Sequence, residues 1–236
     1  MSDDSALPTY RLDDSVAVIT LDDGKANVFS STVVNHLEGM LDRAEADGAR
    51  ALVIVGRPGR FSAGFNLEEM TGSVEGMRSL VVAGARWLMR LYGLGMPTVA
   101  ACTGHALAAG ALTLLSCDVR IGADVPAKIG LNEVAIGMTL PVFAVELARD
   151  RLEETALTAS VMGDVYDVAG AVEVGFLDRA VPEAEVLDAA MAEARRLAER
   201  RTGAWAGTKR NLRGEMIERT LAGVVADMEQ VDIPKV

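Results

Sequence analysis

Only two histidines and two cysteines occur in 236 residues. That leaves no closely spaced set of four Cys or His donors for a structural zinc ion, and no metal is expected. Basic runs are missing too: 23 Lys and Arg face 34 Asp and Glu, for a net charge of −11. Nucleic-acid binding rests on a positive stripe that displaces phosphate counterions, so that class is excluded. Every apolar run is broken by glycine, proline or charge well before the ~20 residues of a membrane span, so no membrane partner is expected. The opening MSDDSALPTY is acidic and polar, unlike a secretory leader. No phosphate loop GxxxxGK[ST] occurs. Gly93-Leu94-Gly95-Met96-Pro97-Thr98 lacks the last glycine of a dinucleotide fingerprint and has a proline where the helix should open. Arg60 stands where a nucleophile elbow around Ser62 needs glycine. Cys102 and Cys117 sit in apolar stretches and read as reduced core thiols, which suits a cytoplasmic protein.

What the chain does have is core-forming material, with 50% hydrophobic residues, enough for one or two domains. Residues 16–21 read as a strand, ended by Asp22-Asp23-Gly24. A helix from about Ser31 is predicted by Val33, Val34, Leu37, Met40, Leu41 and Ala44, spaced along one face. The apolar run 51–55 reads as a strand buried on both sides. Residues 56–60 form a turn cluster. Asn66 with Glu69 three positions later reads as a helix cap with its reciprocal acid. Val74, Met77, Val81, Ala85, Leu88 and Leu91 mark a longer helix, stopped by Gly93, Gly95 and Pro97. Helices are expected over 142–151, 153–160 and 168–174, with a turn at Met162-Gly163-Asp164. From Ala184 the pattern is almost wholly helical, with an apolar stripe that includes Val186, Met191, Leu197, Trp205, Leu212 and Val225. A composition shift near Val181-Pro182 divides a core over 1–183 from a helical piece over 184–236.

The stretch 97–133 organises the rest. A strand-like run, 98–102, meets a turn at Thr103-Gly104, and then a tract of very small residues, 105–112, reads as the start of a helix. Small side chains beside a helix start let a ligand approach unpaired backbone N–H groups, which bind anionic oxygen. Some twenty residues on, Glu133 stands alone among apolar neighbours Ile129, Leu131 and Val134. Desolvation there should raise its pKa toward the working range of a proton shuttle. His105 reads as a buried, hydrogen-bonded residue more than a base, and Asp118 as a partner of Arg120 or a backbone group.

Three segments, FSAGFNLEEM, PTVAACTGHALAAGALTLLSCD and IGLNEVAIGM, together resemble the crotonase superfamily, the enoyl-CoA hydratases and isomerases. The likeness covers roughly 16–181. It implies an α/β fold, the ClpP/crotonase spiral of ββα units, with C-terminal helices that build a homotrimer or a dimer of trimers. It implies an acyl-CoA thioester as substrate and no permanently bound cofactor. The backbone N–H groups of Phe65 and Ala109 would form an oxyanion hole, with Glu133 as the acid–base group. The ligand would lie against Lys25, Ala26, Arg60, Ser62, Ala63, Gly64, Asn66, Leu67, His105 and Leu112, with Lys25, Arg57 and Arg60 as a phosphate rim. Hydratases of this family use two glutamates, and the first falls here at Leu112, which cannot hold a water. The family's Δ3,Δ2-enoyl-CoA isomerases work with one glutamate, at the position of Glu133. The resemblance therefore points to isomerisation, with hydration by another water-holding group such as His105, or a silent acyl-CoA-binding role, as alternatives.

Overall fold

A computed structural model describes residues 6–231 of the chain. A hairpin of β1 (Thr9–Asp13) and β2 (Val16–Thr20) is followed by β3 (Val28–Phe29) and α1 (Ser31–Ala46). The next turn of chain contains β4 (Ala51–Val55), β5 (Gly59–Ser62), β6 (Gly64–Phe65), α2 (Leu67–Gly72) and α3 (Val74–Gly93). A third holds β7 (Thr98–Cys102), β8 (Gly104–Leu107) and α4 (Ala109–Ser116). A fourth holds β9 (Val119–Ala123), β10 (Ile129–Gly130), α5 (Val142–Arg151) and α6 (Glu154–Val161). Then come β11 (Val165–Tyr166), α7 (Val168–Val174), β12 (Arg179–Val181), α8 (Val186–Ala198) and α9 (Thr202–Met228). The strands of successive turns alternate between a six-stranded sheet, β1-β2-β4-β7-β9-β12, and smaller sheets β11-β10-β8-β5 and β3-β6. From β2 onward the large sheet is parallel, and parallel neighbours need crossovers, here strand plus helix. This is the expected spiral of ββα turns.

The continuous run of β4 is explained by its two covers. Leu52 and Ile54 join the core beneath α1 and α3, while Ala51, Val53 and Val55 join Val186, Ala190, Met191 and Ala194 of α8. Alternate side chains of one strand thus serve two cores. The buried face of α1 is Val33, Val34, Leu37, Met40, Leu41 and Ala44, as its spacing predicts, and Ser30 caps it by accepting from Val33 N–H. Both cysteines are free and buried, and burial pushes each thiol up to about 12. No helix among the described residues is long and apolar enough to cross a membrane.

Several expectations need correction. The helix predicted to open near His105 opens at Ala109, because β8 is held as a parallel strand between β5 and β10. The turn cluster 56–60 ends inside β5. Asn66 does cap α2, accepting from Glu69 N–H at 3.0 Å. Glu69, however, does not reciprocate; its carboxylate takes the N–H and hydroxyl of Ser31 and so neutralises the first turn of α1, which has no acid of its own. Asp118 pairs with Lys209 and Arg213, while Arg120 pairs with Asp178. Val134 is exposed, so it does not shield Glu133. Leu212, placed on the apolar stripe of α9, is 72% exposed. The buried positions of that helix include Lys209, Arg213 and Thr220.

Candidate active site

Glu133 follows β10 and opens a single 3-10 turn, Val134–Ile136. Its backbone carbonyl accepts from Ile136 and Met138, so the turn fixes the residue without help from its side chain. The carboxyl makes no capping bond, and Oε2 is buried without a hydrogen-bond partner. The carboxyl is therefore neither a loop cap nor part of an ion pair among the described residues. The side chain lines a cavity of about 140 Å³ and the residue is only 7% exposed. Burial pushes the carboxyl up to about 7, with its own backbone N–H acting in the opposite direction. Around it stand Phe65, Met70, Val81, Leu112, Met138 and Phe143, and among the described residues Glu133 is the one ionisable group in the lining.

The other wall comes from the ends of β6 and β8. In the parallel β3–β6 ladder Asn66 N–H reaches the Phe29 carbonyl. Successive amides alternate in direction, so Phe65 N–H points away from β3. Ala109 is the first residue of α4, where N–H groups have no partner within the helix. Gly64, at φ +91°, permits the two segments to meet: a Cβ built on it would lie 3.1 Å from Ala109 N and 2.8 Å from Ala108 Cβ. Phe65 and Ala108 both line the cavity of Glu133.

Ala108 itself sits at φ +50°, ψ −124°, where only glycine is free of strain. That backbone turns the chain from β8 into α4 and so aims the first amide of the helix. Ala108→Gly should release strain of about 1–3 kcal/mol, less about 0.4–1 kcal/mol of added unfolded-state entropy. A net gain of about 1 kcal/mol in a urea titration is the expected result.

The remaining sequence-predicted residues divide into three groups. Ala63, Leu67 and Leu112 line the cavity, Leu67 at its rim with 54% exposure. Ser62 is wholly buried, donating to Asn27 carbonyl and accepting from Gly64 N–H, which makes it a brace for β6. Asn66 spends its side chain as the cap of α2. Lys25, Ala26 and Arg60 lie along a neighbouring edge, tied together where Arg57 donates to Lys25 carbonyl and Ala63 N–H to Ala26 carbonyl. Arg60 is opposite His105 in the β5–β8 register, and Arg60 and Lys128, after burial, help to lower the His105 pKa. The cations of this edge share it with Asp22, which pairs with Arg57 at 3.3 Å. His105 accepts Lys128 N–H through Nδ1, is only half-buried, and does not line the cavity of Glu133.

Two residues escaped the sequence reading. Asn27, buried at φ +53°, donates to the carbonyls of Leu21, Arg60 and Phe61 and so pins the basic edge to β5. Asn at a positive φ directly after a turn run was its only signal. Asn132 is the second polar group in the cavity lining, its Oδ1 buried and unpartnered; adjacency to Glu133 was the clue. A larger hollow of about 710 Å³ lies where α8 meets α9, beside Trp205, Lys209 and Arg213. Its buried cations, Lys209 and Arg213, are already matched to Asp118, and its other charged groups, Glu199, Arg200 and Arg201, are exposed to solvent, so Glu133 is the stronger candidate. Among the described residues no group of three His, Cys, Asp or Glu is clustered to hold a metal.

The sequence model of the enoyl-CoA hydratase/isomerase family matches residues 11–231. A probable enoyl-CoA hydratase of Bacillus subtilis is 33% identical over 198 residues, 81% of this chain and 76% of that protein. The human mitochondrial enoyl-CoA delta isomerase 1 is 34% identical over 190 residues, 75% of this chain and 60% of that protein. A crystal structure of an enoyl-CoA hydratase/isomerase family protein from Pseudomonas syringae superposes with a TM-score of 0.92 at 40% identity, covering 95% of this chain and 97% of that one.

Proposed function

This chain belongs to the enoyl-CoA hydratase/isomerase family, and from that premise we propose that it moves a double bond within an acyl-CoA thioester, converting a 3-enoyl to a 2-enoyl ester. One observation carries the reading: a single buried carboxyl lines an apolar cavity whose lining includes Leu112 and, among the described residues, no second acid. Hydration needs a water held and activated between two groups. Isomerisation needs one group that takes a proton and returns it.

The steps follow from the placement. Coenzyme A phosphates meet the edge of Lys25, Arg57, Arg60 and Lys128, and the acyl chain enters past Ala63 and Leu67. The thioester oxygen sits at the amides of Phe65 and Ala109. Glu133 removes a proton from C2 while the C2 electrons pass to the carbonyl oxygen, giving a dienolate. The amides stabilise that charge as it forms, each such donor being worth about 2.7–4 kcal/mol. The protonated Glu133 then delivers the proton to C4, the electrons return, and the double bond lies conjugated at C2. No water enters the sequence.

Hydration is the second reading, favoured by Asn132, whose unpartnered Oδ1 beside Glu133 is able to hold a water. Purified protein should convert 3-hexenoyl-CoA to 2-hexenoyl-CoA, followed by the absorbance of the conjugated thioester. Formation of 3-hydroxybutyryl-CoA from crotonyl-CoA as the faster reaction would replace isomerisation by hydration. Acyl-CoA binding without either product would leave a silent binder.

A further inference from the structure

Gly84 has no side chain at a point where α3 faces the cavity, one turn after Val81, which lines it. The ring of Phe65 fills that notch. A Cβ built on Gly84 would fall 2.3 Å from Phe65 Cζ and 2.4 Å from Cε1, so ring and methyl group cannot share the place. Behind the ring, Phe29 pairs with Phe65 in the β3–β6 register and packs edge-on against Trp87 at 5.5 Å. The ring is thus held on the side of α3 and bare on the side of the cavity. We infer that the Phe65 side chain, seated on Gly84, is the stop that limits acyl-chain length and makes the enzyme selective for short chains. This rests on the acyl-CoA reading and adds to the amide of Phe65 a separate role for its ring.

An apolar cavity of about 150 Å³ takes up a molecule of benzene, so one of about 140 Å³ suits an acyl chain of about six carbons. Each further methylene buried should tighten binding roughly fourfold until the chain meets the ring. Phe65→Ala keeps the backbone N–H and opens the notch to the chain. Gly84→Ala acts oppositely: the far end of the ring is the group that must yield, and its open side is the cavity.

The test is calorimetric binding of saturated acyl-CoA esters from C4 to C12 to the wild type, Phe65→Ala and Gly84→Ala, with isomerisation of the matching 3-enoyl esters in parallel. In the wild type the fourfold gains should end near C6. In Phe65→Ala they should continue for two or more methylenes, and in Gly84→Ala they should end at least one methylene earlier. The same break in all three proteins, or no break through C12, overturns the inference even if isomerisation proceeds. A break that moves as expected without any turnover upholds the ring as a stop while removing the isomerase reading. Should Phe65→Ala fail to fold, Phe65→Leu and the independent Gly84→Ala arm decide.

Discussion

Replacing Glu133 by Gln is expected to lower kcat for isomerisation by about 10³- to 10⁴-fold, the upper part of the range for a positioned acid–base group, while KM stays nearly unchanged. The size follows from the isolation of the carboxyl: among the described residues no other ionisable side chain lines the cavity, so no neighbour inherits the proton. The unchanged KM follows from the ground state, which the carboxyl touches only at carbon. Retention of more than about a tenth of wild-type kcat would end the single-carboxylate mechanism. The same residue sets a pH dependence, since it must be ionised to accept the C2 proton. With its pKa pushed up to about 7, kcat/KM should rise with pH and level off above that value.

Stability should run the other way across that window. The folded pKa of Glu133 lies above its unfolded value of 4.5, so between 4.5 and about 7 the folded state holds the proton that the unfolded chain has released. Folding is then favoured at the acid end and weakened as pH rises, which is the reverse of a salt-bridged carboxylate. Between pH 5 and pH 8 the stability of Glu133→Gln relative to wild type should improve by about 2–3 kcal/mol, read from urea midpoints. Activity and stability thus trade against each other at one side chain. A pH-independent difference between the two proteins would mean that the carboxyl is not desolvated as its surroundings demand.

Much of this was legible in the sequence, and the exceptions share a cause. α1 and α7 fall where the sequence puts them, because each buries an apolar face, and Gly175 stops α7. Glu133 was legible as a lone acid amid apolar residues, and its cavity bears that out. β8 was not legible: its small residues carry no period, and only the strands on either side give them a conformation. The reciprocal role of Glu69 failed because a carboxylate able to reach the next helix start found a more needy set of N–H groups there. The inward face of α9 was legible only in part: Trp205 packs inward and Val224 is buried. Periodicity ranks Leu212 above Lys209 and Arg213, yet the leucine is exposed and the two cations are buried. Burial there is decided by a charge 91 residues away in sequence, which no local pattern encodes.

That charge carries the largest stability effect expected for a single substitution. Asp118 stands where β7 and β9 begin, accepting from Thr98 N–H at 2.9 Å, Lys209 Nζ at 2.6 Å and Arg213 at 2.8 Å. All three ionic side chains are over nine-tenths buried. Asp118→Ala strands two cations in a dry environment, where breaking such a pair costs about 3–5 kcal/mol. Lys209→Met should cost less, because Arg213 still matches Asp118 one to one and a methionine fills the space of the lysine stem. The ordering separates the network from simple loss of packing, which would make the larger truncation the worse one. A pH arm sharpens it. Burial already lowers the pKa of Lys209, and Asp118 is the main group raising it, so in Asp118→Ala the folded lysine should give up its proton more readily. The unfolded chain then holds the extra proton, and stability rises with pH. The deficit of Asp118→Ala should therefore shrink between pH 7 and pH 10, although Arg213 cannot deprotonate and some of it must persist. Because Asp118 follows the C-terminal end of α4, away from the Ala109 amide at its start, the folded fraction of the variant should keep its wild-type kcat. A deficit equal to that of Lys209→Met, or one that grows at alkaline pH, would show that α9 is held by its apolar contacts and not by this buried carboxylate.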